Sequence, residues 1–430
     1  MPLIFLEVSE TLLQATDTAF LARVGSTEVA ALALADTILQ FWTVAIVGLV
    51  AALLIVIARR LGEGQERAVG QTFNVVLLLV VPISLVLTAT LKVGSPLLLD
   101  YVVASHEVGT AVDAYLQIGA YGIIFQSISF TYTALYVGLR RTRVLVGAGT
   151  VLVVTNFVLS YVLIFGKLGL PPMGMEGAAL GELGAEVATF VFLTAFTLRR
   201  LDLGRYGLFR LESWDGKLAW LTLRSSSPVS LQELLEGLRW FLFFLIVERV
   251  STEALAWSNI VYACYAVLLI PAMAFSETTI SMVSNFIGRG RGHRLGRLIR
   301  LLSSSAYLIT LPVVVLGLLF PNVVLSIFTS DQAAIEGAAG SLRVVLFSML
   351  IGIPAEMWFA AVLGTGDTNA VLLIEFFLTA ATLVVVYVAA FVLVPVSLTY
   401  VWISLPVAWL IGLVLSYGWM KAGYWDRREI

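Results

Sequence analysis

Apolar stretches of about 20 residues or more recur along the whole chain, and each is long enough to cross the roughly 30 Å hydrocarbon layer of a membrane. Twelve can be marked between polar breaks: 2–24, 28–58, 68–93, 110–139, 144–167, 176–198, 220–248, 252–288, 301–320, 338–366, 369–395 and 397–421. A chain with 60% apolar and 13% charged residues and a mean hydropathy of +0.97 is a polytopic membrane protein, since globular domains carry roughly 25% charged residues. Polar residues inside the spans follow helical spacing and not strict alternation, so the fold class is all-α and not a barrel. No charged segment followed by a small-residue cleavage site opens the chain, so the first span reads as a retained helix. The single cysteine, Cys264, excludes an internal disulfide and a thiolate metal cluster. A net charge of −2 says nothing about partners.

The connecting segments give an orientation. Arg59, Arg60 and Arg67 follow span two, Arg140, Arg141 and Arg143 span four, Arg199 to Lys217 span six, and Arg289 to Arg300 span eight. The alternate connections carry Asp100, Glu107 and Asp113, or Asp331 and Glu336. The positive-inside rule then predicts both termini in the cytoplasm, which an even number of spans satisfies.

The chain also repeats itself. ARVGSTEVA at 22–30 resembles ERVSTEALA at 248–256 with one Gly missing; LGEG at 61–64 resembles IGRG at 287–290; ALYVGLRRT at 134–142 resembles AAVLGTGDT at 360–368. Pro2, Glu7 and Glu10 stand opposite Pro228, Glu233 and Glu236. Six spans per repeat imply two parallel, pseudo-symmetric six-helix lobes with a cavity between them. The expected organisation is an N-lobe over 1–198, a cytoplasmic linker over 199–219, a C-lobe over 220–421 and a cytoplasmic tail over 422–430. Such duplication serves alternating access more directly than it serves a receptor or a structural bundle.

Acids inside the spans are costly and are functional candidates by default. Counting about 1.5 Å per residue, Asp17, Glu182 and Ser160 each lie about 10 Å below the predicted outer end of their helices, and Asn156 is one turn deeper than Ser160 on the same face. Hard oxygen ligands at one level suit Na+, and buried carboxylates suit a shared proton. No basic side chain occurs in those three helices at that depth. Glu10, with Gln14, continues the stripe of Asp17 toward the cytoplasm, while Glu7 falls near the headgroups. In the second half, Glu236 is mid-span, with Glu277 and Glu356 nine to eleven residues from the cytoplasmic side. Arg239, three residues after Glu236, is placed to neutralise it, so this cluster reads either as a coupling or substrate site or as a buried ion pair fixing the packing. Glu186 fits either reading, and Glu375 is expected to snorkel from a helix end. Trp42, Trp240, Trp257, Tyr262, Tyr265, Phe275 and Trp358 offer aromatic faces to a flat cation, or simply pack.

Taken in order, VSETLLQATDTAFLARVGSTEVAALALA behind a helix-opening Pro, LGEGQERAVGQTF, TNFVLSYVLIFG, MGMEGAALGELGAEVA, PVSLQELLEGLRWFLFFLIVERVSTEALA and LGTGDTNAVLL resemble the multidrug and toxic compound extrusion (MATE) family over essentially the whole chain. The resemblance implies an antiporter that exports amphipathic or cationic organic compounds in exchange for H+ or Na+, with no other cofactor. It implies a multi-pass protein of the cell membrane that meets small organic substrates and membrane lipid but no nucleic acid; a cavity within one chain is compatible with a monomer. The family's N-lobe cation site uses an Asp in helix one, an Asn and an Asp one turn apart in helix five, and a Thr in helix six. Asp17 and Asn156 match it, Ser160 stands where the second Asp is expected, and Glu182 where the Thr is expected. An acid has therefore moved from helix five to helix six, and Asp17, Asn156 and Glu182 are the Na+ ligands if sodium is the coupling ion. The alternative is a lipid or lipid-linked oligosaccharide flippase of the same superfamily, for which the resemblance implies a cationic cavity; Arg239 is the one clear intramembrane base. An enzyme is not expected. GTGD at 364–367 resembles the intramembrane aspartyl protease motif, but no Tyr-Asp accompanies it, and His106 and His293 fall in loops.

Overall fold

The computed structural model describes residues 1–103, 105–210, 215–392 and 397–423, with backbone only at 100 and 102. The expected linker residues 211–214, the end of span eleven at 393–395 and the tail at 424–430 lie outside the described residues. Described residues divide into two compact units, Met1–Ser230 and Leu231–Ile430.

The first unit contains α1 (Pro2–Leu21), α2 (Ser26–Gly62), α3 (Glu66–Val102), α4 (His106–Gly138), α5 (Arg143–Ile164), α6 (Gly174–Arg200), the short α7 (Leu203–Tyr206) and the start of α8 (Gly216–Val250). The second takes the rest of α8, then α9 (Thr252–Gly288), α10 (Leu295–Leu319), α11 (Pro321–Ser326), α12 (Gln332–Gly364), α13 (Thr368–Phe391), α14 (Leu398–Trp402) and α15 (Ser404–Ala422). Twelve of these helices are long, and no strand occurs among the described residues. The repeat is visible in their dimensions: α2 and α9 both have 37 residues, and α4 and α12 both have 33.

Ten of the twelve are long and apolar enough to cross a membrane; the two left over are α1 and α8. Those two open the two repeats, and they carry Glu7, Glu10 and Asp17, and Glu233, Glu236 and Arg239. The equivalent first helix of each half thus carries more charge than the hydropathy of a spanning helix allows.

Helix boundaries follow local chemistry. Pro2 occupies the first turn of α1, where its missing N–H costs nothing. Ser251 caps α9 by accepting from the Ala254 N–H at 3.0 Å, and Asp331 caps α12 through the Ala333 N–H at 3.0 Å. Turns recur with the repeat: Gly64 and its counterpart Gly290 both have positive φ, 79° and 68°. Gly366 does so as well (86°), and its counterpart Arg140 adopts φ 61°, a left-handed conformation unfavourable for a side-chain-bearing residue, imposed by the same turn.

Several helices extend beyond their apolar cores. Glu107 and Asp113 belong to α4 and not to a loop, with Asp113 accepting from the Ser95 hydroxyl of α3 at 2.8 Å; Asp331 is a helix cap and Glu336 is helical. Span 397–421 is two helices interrupted at Ile403. Hydropathy marks the hydrocarbon-facing part of a helix, whereas capping groups and tertiary partners decide where it ends.

Two sets of contacts fix neighbouring elements of the first unit against one another. In α6, Gly177 and Gly181 lie against α5: a Cβ at Gly177 would stand 2.7 Å from the Leu163 carbonyl carbon, and one at Gly181 would stand 2.3 Å from the Ser160 hydroxyl. This four-residue spacing of small residues lets two helix backbones approach closely. After α7, the Asn74 amide of α3 donates to the carbonyls of Gly207 and Arg210, both at 3.0 Å, and accepts from the Phe209 N–H at 2.8 Å. Arg205 pairs in two-pronged fashion with Glu66, so the segment after α6 is sewn to the start of α3.

Candidate cation-binding sites

In the first unit, α1 packs on α5 and α5 on α6. Asp17 of α1 is only 2% exposed, and Asn156 and Ser160 of α5 are fully buried. The Asn156 amide nitrogen donates to Asp17 Oδ2 at 3.0 Å and to the Ser160 hydroxyl at 3.3 Å. Asp17 Oδ1 and Asn156 Oδ1 are buried with no hydrogen-bond partner among the described residues. Unmatched buried acceptors are expensive, and a cation or a proton would satisfy them.

The Gly181–Ser160 contact carries Glu182 of α6 to the edge of this group. Its Oε2 accepts from the fully buried Tyr115 hydroxyl of α4, and its charge acts on Asp17. The structure therefore places Asp17, Asn156 and Ser160 in direct contact and Glu182 in a second group beside them. No set of three His, Cys, Asp or Glu side chains converges on a metal position among the described residues. A Na+ ion here would depend on neutral oxygens from Asn156 and Ser160 alongside carboxylate.

Next to Glu182 is a cavity of about 100 Å³, bounded by Gln14, Asp36, Gln40, Thr43, Gln126, Glu182 and Glu186 with small or aliphatic residues between them. Its polar lining and size suit several waters. Glu186 is buried and forms part of its wall. Glu10 is exposed and lies within electrostatic reach of Glu186, not in the bonded group around Asp17. Gln14 faces the cavity while Asp17 turns to α5, so the polar stripe of α1 serves two different neighbours.

Asp36 is the residue that sequence reasoning passed over. It is the one charge between Glu28 and Arg59 in α2, so the rule that singles out Asp17 also applies to it. Tyr115 gave no comparable signal, because a tyrosine in a membrane helix ordinarily packs or anchors at an interface.

The second unit is built differently. Arg239 of α8 binds Glu236 at 3.1 Å and Glu375 of α13 at 3.0 Å, with its guanidinium bridging the two carboxylates. Glu375 does not snorkel: it is 2% exposed and neutralised inside the unit, because α13 turns it toward Arg239. Glu356 of α12 accepts from the Ser276 hydroxyl of α9 at 2.7 Å, and Glu277 follows Ser276, half-buried. Around Arg239 the aromatics pack on one another: Trp240 lies 4.7 Å from Tyr262, and Trp402 lies 4.9 Å from Phe243. Trp42 and Trp358 are similarly occupied, with the Leu87 carbonyl (3.1 Å) and the Tyr417 ring (4.9 Å). Asp367 caps α13 through the Ala370 N–H at 3.2 Å, which accounts for the acid of the GTGD string.

A duplicated all-helical bundle with acids on the first helix of each repeat defines a multi-pass membrane transporter. The family model MatE matches residues 2–162 and 228–392, two copies whose starts keep the repeat offset, and the chain belongs to the MATE family of transporters, not to the enzymes. It is 26% identical to the probable multidrug resistance protein NorM of Thermotoga maritima, covering 98% of this chain and 91% of that one. It is also 26% identical to the probable multidrug resistance protein YoeA of Bacillus subtilis, over 74% of this chain and 68% of that one. Among solved structures, a MOP superfamily transporter from Pyrococcus furiosus, described as having a binding pocket of reversed polarity, superposes with a TM-score of 0.90 at 19% identity (98% and 93% coverage). A single-substitution variant of the Vibrio cholerae MATE transporter VcmN does so with a TM-score of 0.90 at 16% identity (99% and 96% coverage).

Proposed function

We propose that the chain is a multidrug efflux antiporter of the cell membrane, exporting amphipathic or cationic organic compounds by alternating access in exchange for H+ or Na+. Asp17, Asn156, Ser160 and Glu182 take the coupling cation, with both termini in the cytoplasm. The observation that carries this reading is the pair of unmatched buried acceptors on Asp17 and Asn156, in a group with no bonded base. Binding there drives exchange only if the cation favours one conformational state over the other. Relatives named for multidrug resistance support the substrate class.

Glu236, Glu277, Glu356 and Arg239 are assigned a secondary role, in packing or in contacting substrate, because Arg239 already holds two carboxylates. The same pairing weighs against a lipid or lipid-linked oligosaccharide flippase, which would need uncompensated positive charge for a phosphate-bearing substrate. The test is efflux of a cationic dye from proteoliposomes under separately imposed pH and Na+ gradients. Asp17→Asn abolishes the gradient-driven component while expression and monodispersity persist; unimpaired efflux would overturn the assignment.

A further inference from the structure

We propose that Asp36 is the entry acceptor for the coupling cation, receiving it from the water-sized cavity of the first unit and handing it to Glu182 and Asp17. This rests on the antiport reading above and adds to it a residue outside the group that α1, α5 and α6 assemble.

Asp36 and Glu182 line the same cavity, whereas Asp17, at 2% exposure, does not. A cation travelling through that space therefore meets Asp36 and Glu182 before it reaches the unmatched oxygens of Asp17 and Asn156. Asp36 itself has no hydrogen-bonded or ion-paired partner among the described residues, so its carboxylate is not committed elsewhere. Glu182 and Glu186 from α6 share the cavity wall with it, and Asp17 from α1 and the Tyr115 phenol from α4 lie within electrostatic reach. From α3, Lys92 is instead engaged with the Gln117 carbonyl at 3.2 Å and the Tyr121 hydroxyl at 2.7 Å. Asp36 is thus surrounded by acids and a phenol with no bonded base, and a cation is the partner this surrounding lacks.

Tyr115 gives the handover a direction. Its hydroxyl holds one oxygen of Glu182, leaving the other free to take a proton or a metal ion from Asp36. For a proton, an O–H bond of a hydronium ion in the cavity breaks as the Asp36 O–H forms, leaving water. That bond breaks in turn as the proton moves to Glu182 or Asp17, and Asp36 returns to the carboxylate. For Na+, the same oxygens are exchanged as ligands with no covalent change.

The experiment uses the full chain in proteoliposomes, a cationic dye, and three drives: a pH gradient, a Na+ gradient, and dye counterflow with neither. Asp36→Asn is expected to lower the ratio of gradient-driven efflux to counterflow by about tenfold or more, and Asp36→Glu to restore most of it. The gradient that drives the unsubstituted chain identifies the cation. An unchanged ratio in Asp36→Asn, or a loss that Asp36→Glu fails to restore, overturns the role of Asp36 while leaving antiport standing. An unsubstituted chain that answers to neither gradient overturns the antiport reading, and this inference with it.

Discussion

The two repeats put acids on the same helix and then treat them in opposite ways. In α1, Asp17 is met by an amide and its second oxygen by no hydrogen-bond partner among the described residues; in α8, Glu236 meets a guanidinium that also neutralises Glu375. Duplication preserved the helix, a proline and the acid pairs Glu7/Glu233 and Glu10/Glu236, whereas Asp17 has Phe243 at the equivalent place, and the partners diverged. A buried carboxylate without a base is primed to bind a cation, and one with a base is already satisfied. Lying on the first helix of a repeat therefore does not assign function to an acid; the side chains that neighbouring helices bring to it do.

That contrast is open to breakage in four places. The largest effect belongs to Asp17→Asn, which is expected to reduce gradient-driven efflux to background, measured as dye release under an imposed gradient. Next is Arg239→Met, which strands Glu375 inside the second unit and is expected to cost roughly 3–5 kcal/mol of stability. Thermal unfolding in detergent measures it, and the double variant Arg239→Met with Glu375→Leu should recover most of the loss. Tyr115→Phe removes the donor that competes with the cation for Glu182. It should lower the cation concentration for half-maximal transport by about tenfold, the equivalent of roughly 1.5 kcal/mol for a hydrogen bond to a charged group. The smallest effect is expected for Glu236→Gln: its side chain is 43% exposed, and efflux should stay within about fivefold of the unsubstituted rate. A collapse of transport in Glu236→Gln, equal to that of Asp17→Asn, would erase the distinction between the halves.

Most of the architecture was legible because a membrane helix must be long, apolar and internally hydrogen-bonded, and such segments announce themselves. The span 252–288 coincides with α9, which a serine cap and a glycine turn bound. The break at Ile403 could not be read, because the run from 397 to 421 is apolar throughout. In the site, depth counting put Ser160 level with Asp17, and one-turn spacing then set Asn156 on the same face of α5. Glu182 required depth counting across helices, which reached the neighbourhood and missed the intervening partner, Tyr115. Glu375 was misjudged for a related reason. Distance from a helix end says how far a side chain must reach to water, but not whether an arginine from another helix is closer. Asp36 was legible and overlooked; a lone acid in an apolar run calls for the same scrutiny wherever it falls.

The close seating of α6 on Ser160 also limits which side chains the site can hold. Ser160 is fully buried, and its hydroxyl lies where a Cβ on Gly181 would stand 2.3 Å away. Where the family resemblance implies an aspartate, a carboxyl group introduced at 160 would have to overpack this crossing. An acid at 160 therefore could not be accommodated in this chain by one substitution alone. The serine in helix five, the glycine in helix six and the glutamate that follows it are sterically interlocked, so a larger side chain in one helix demands a compensating change in the other.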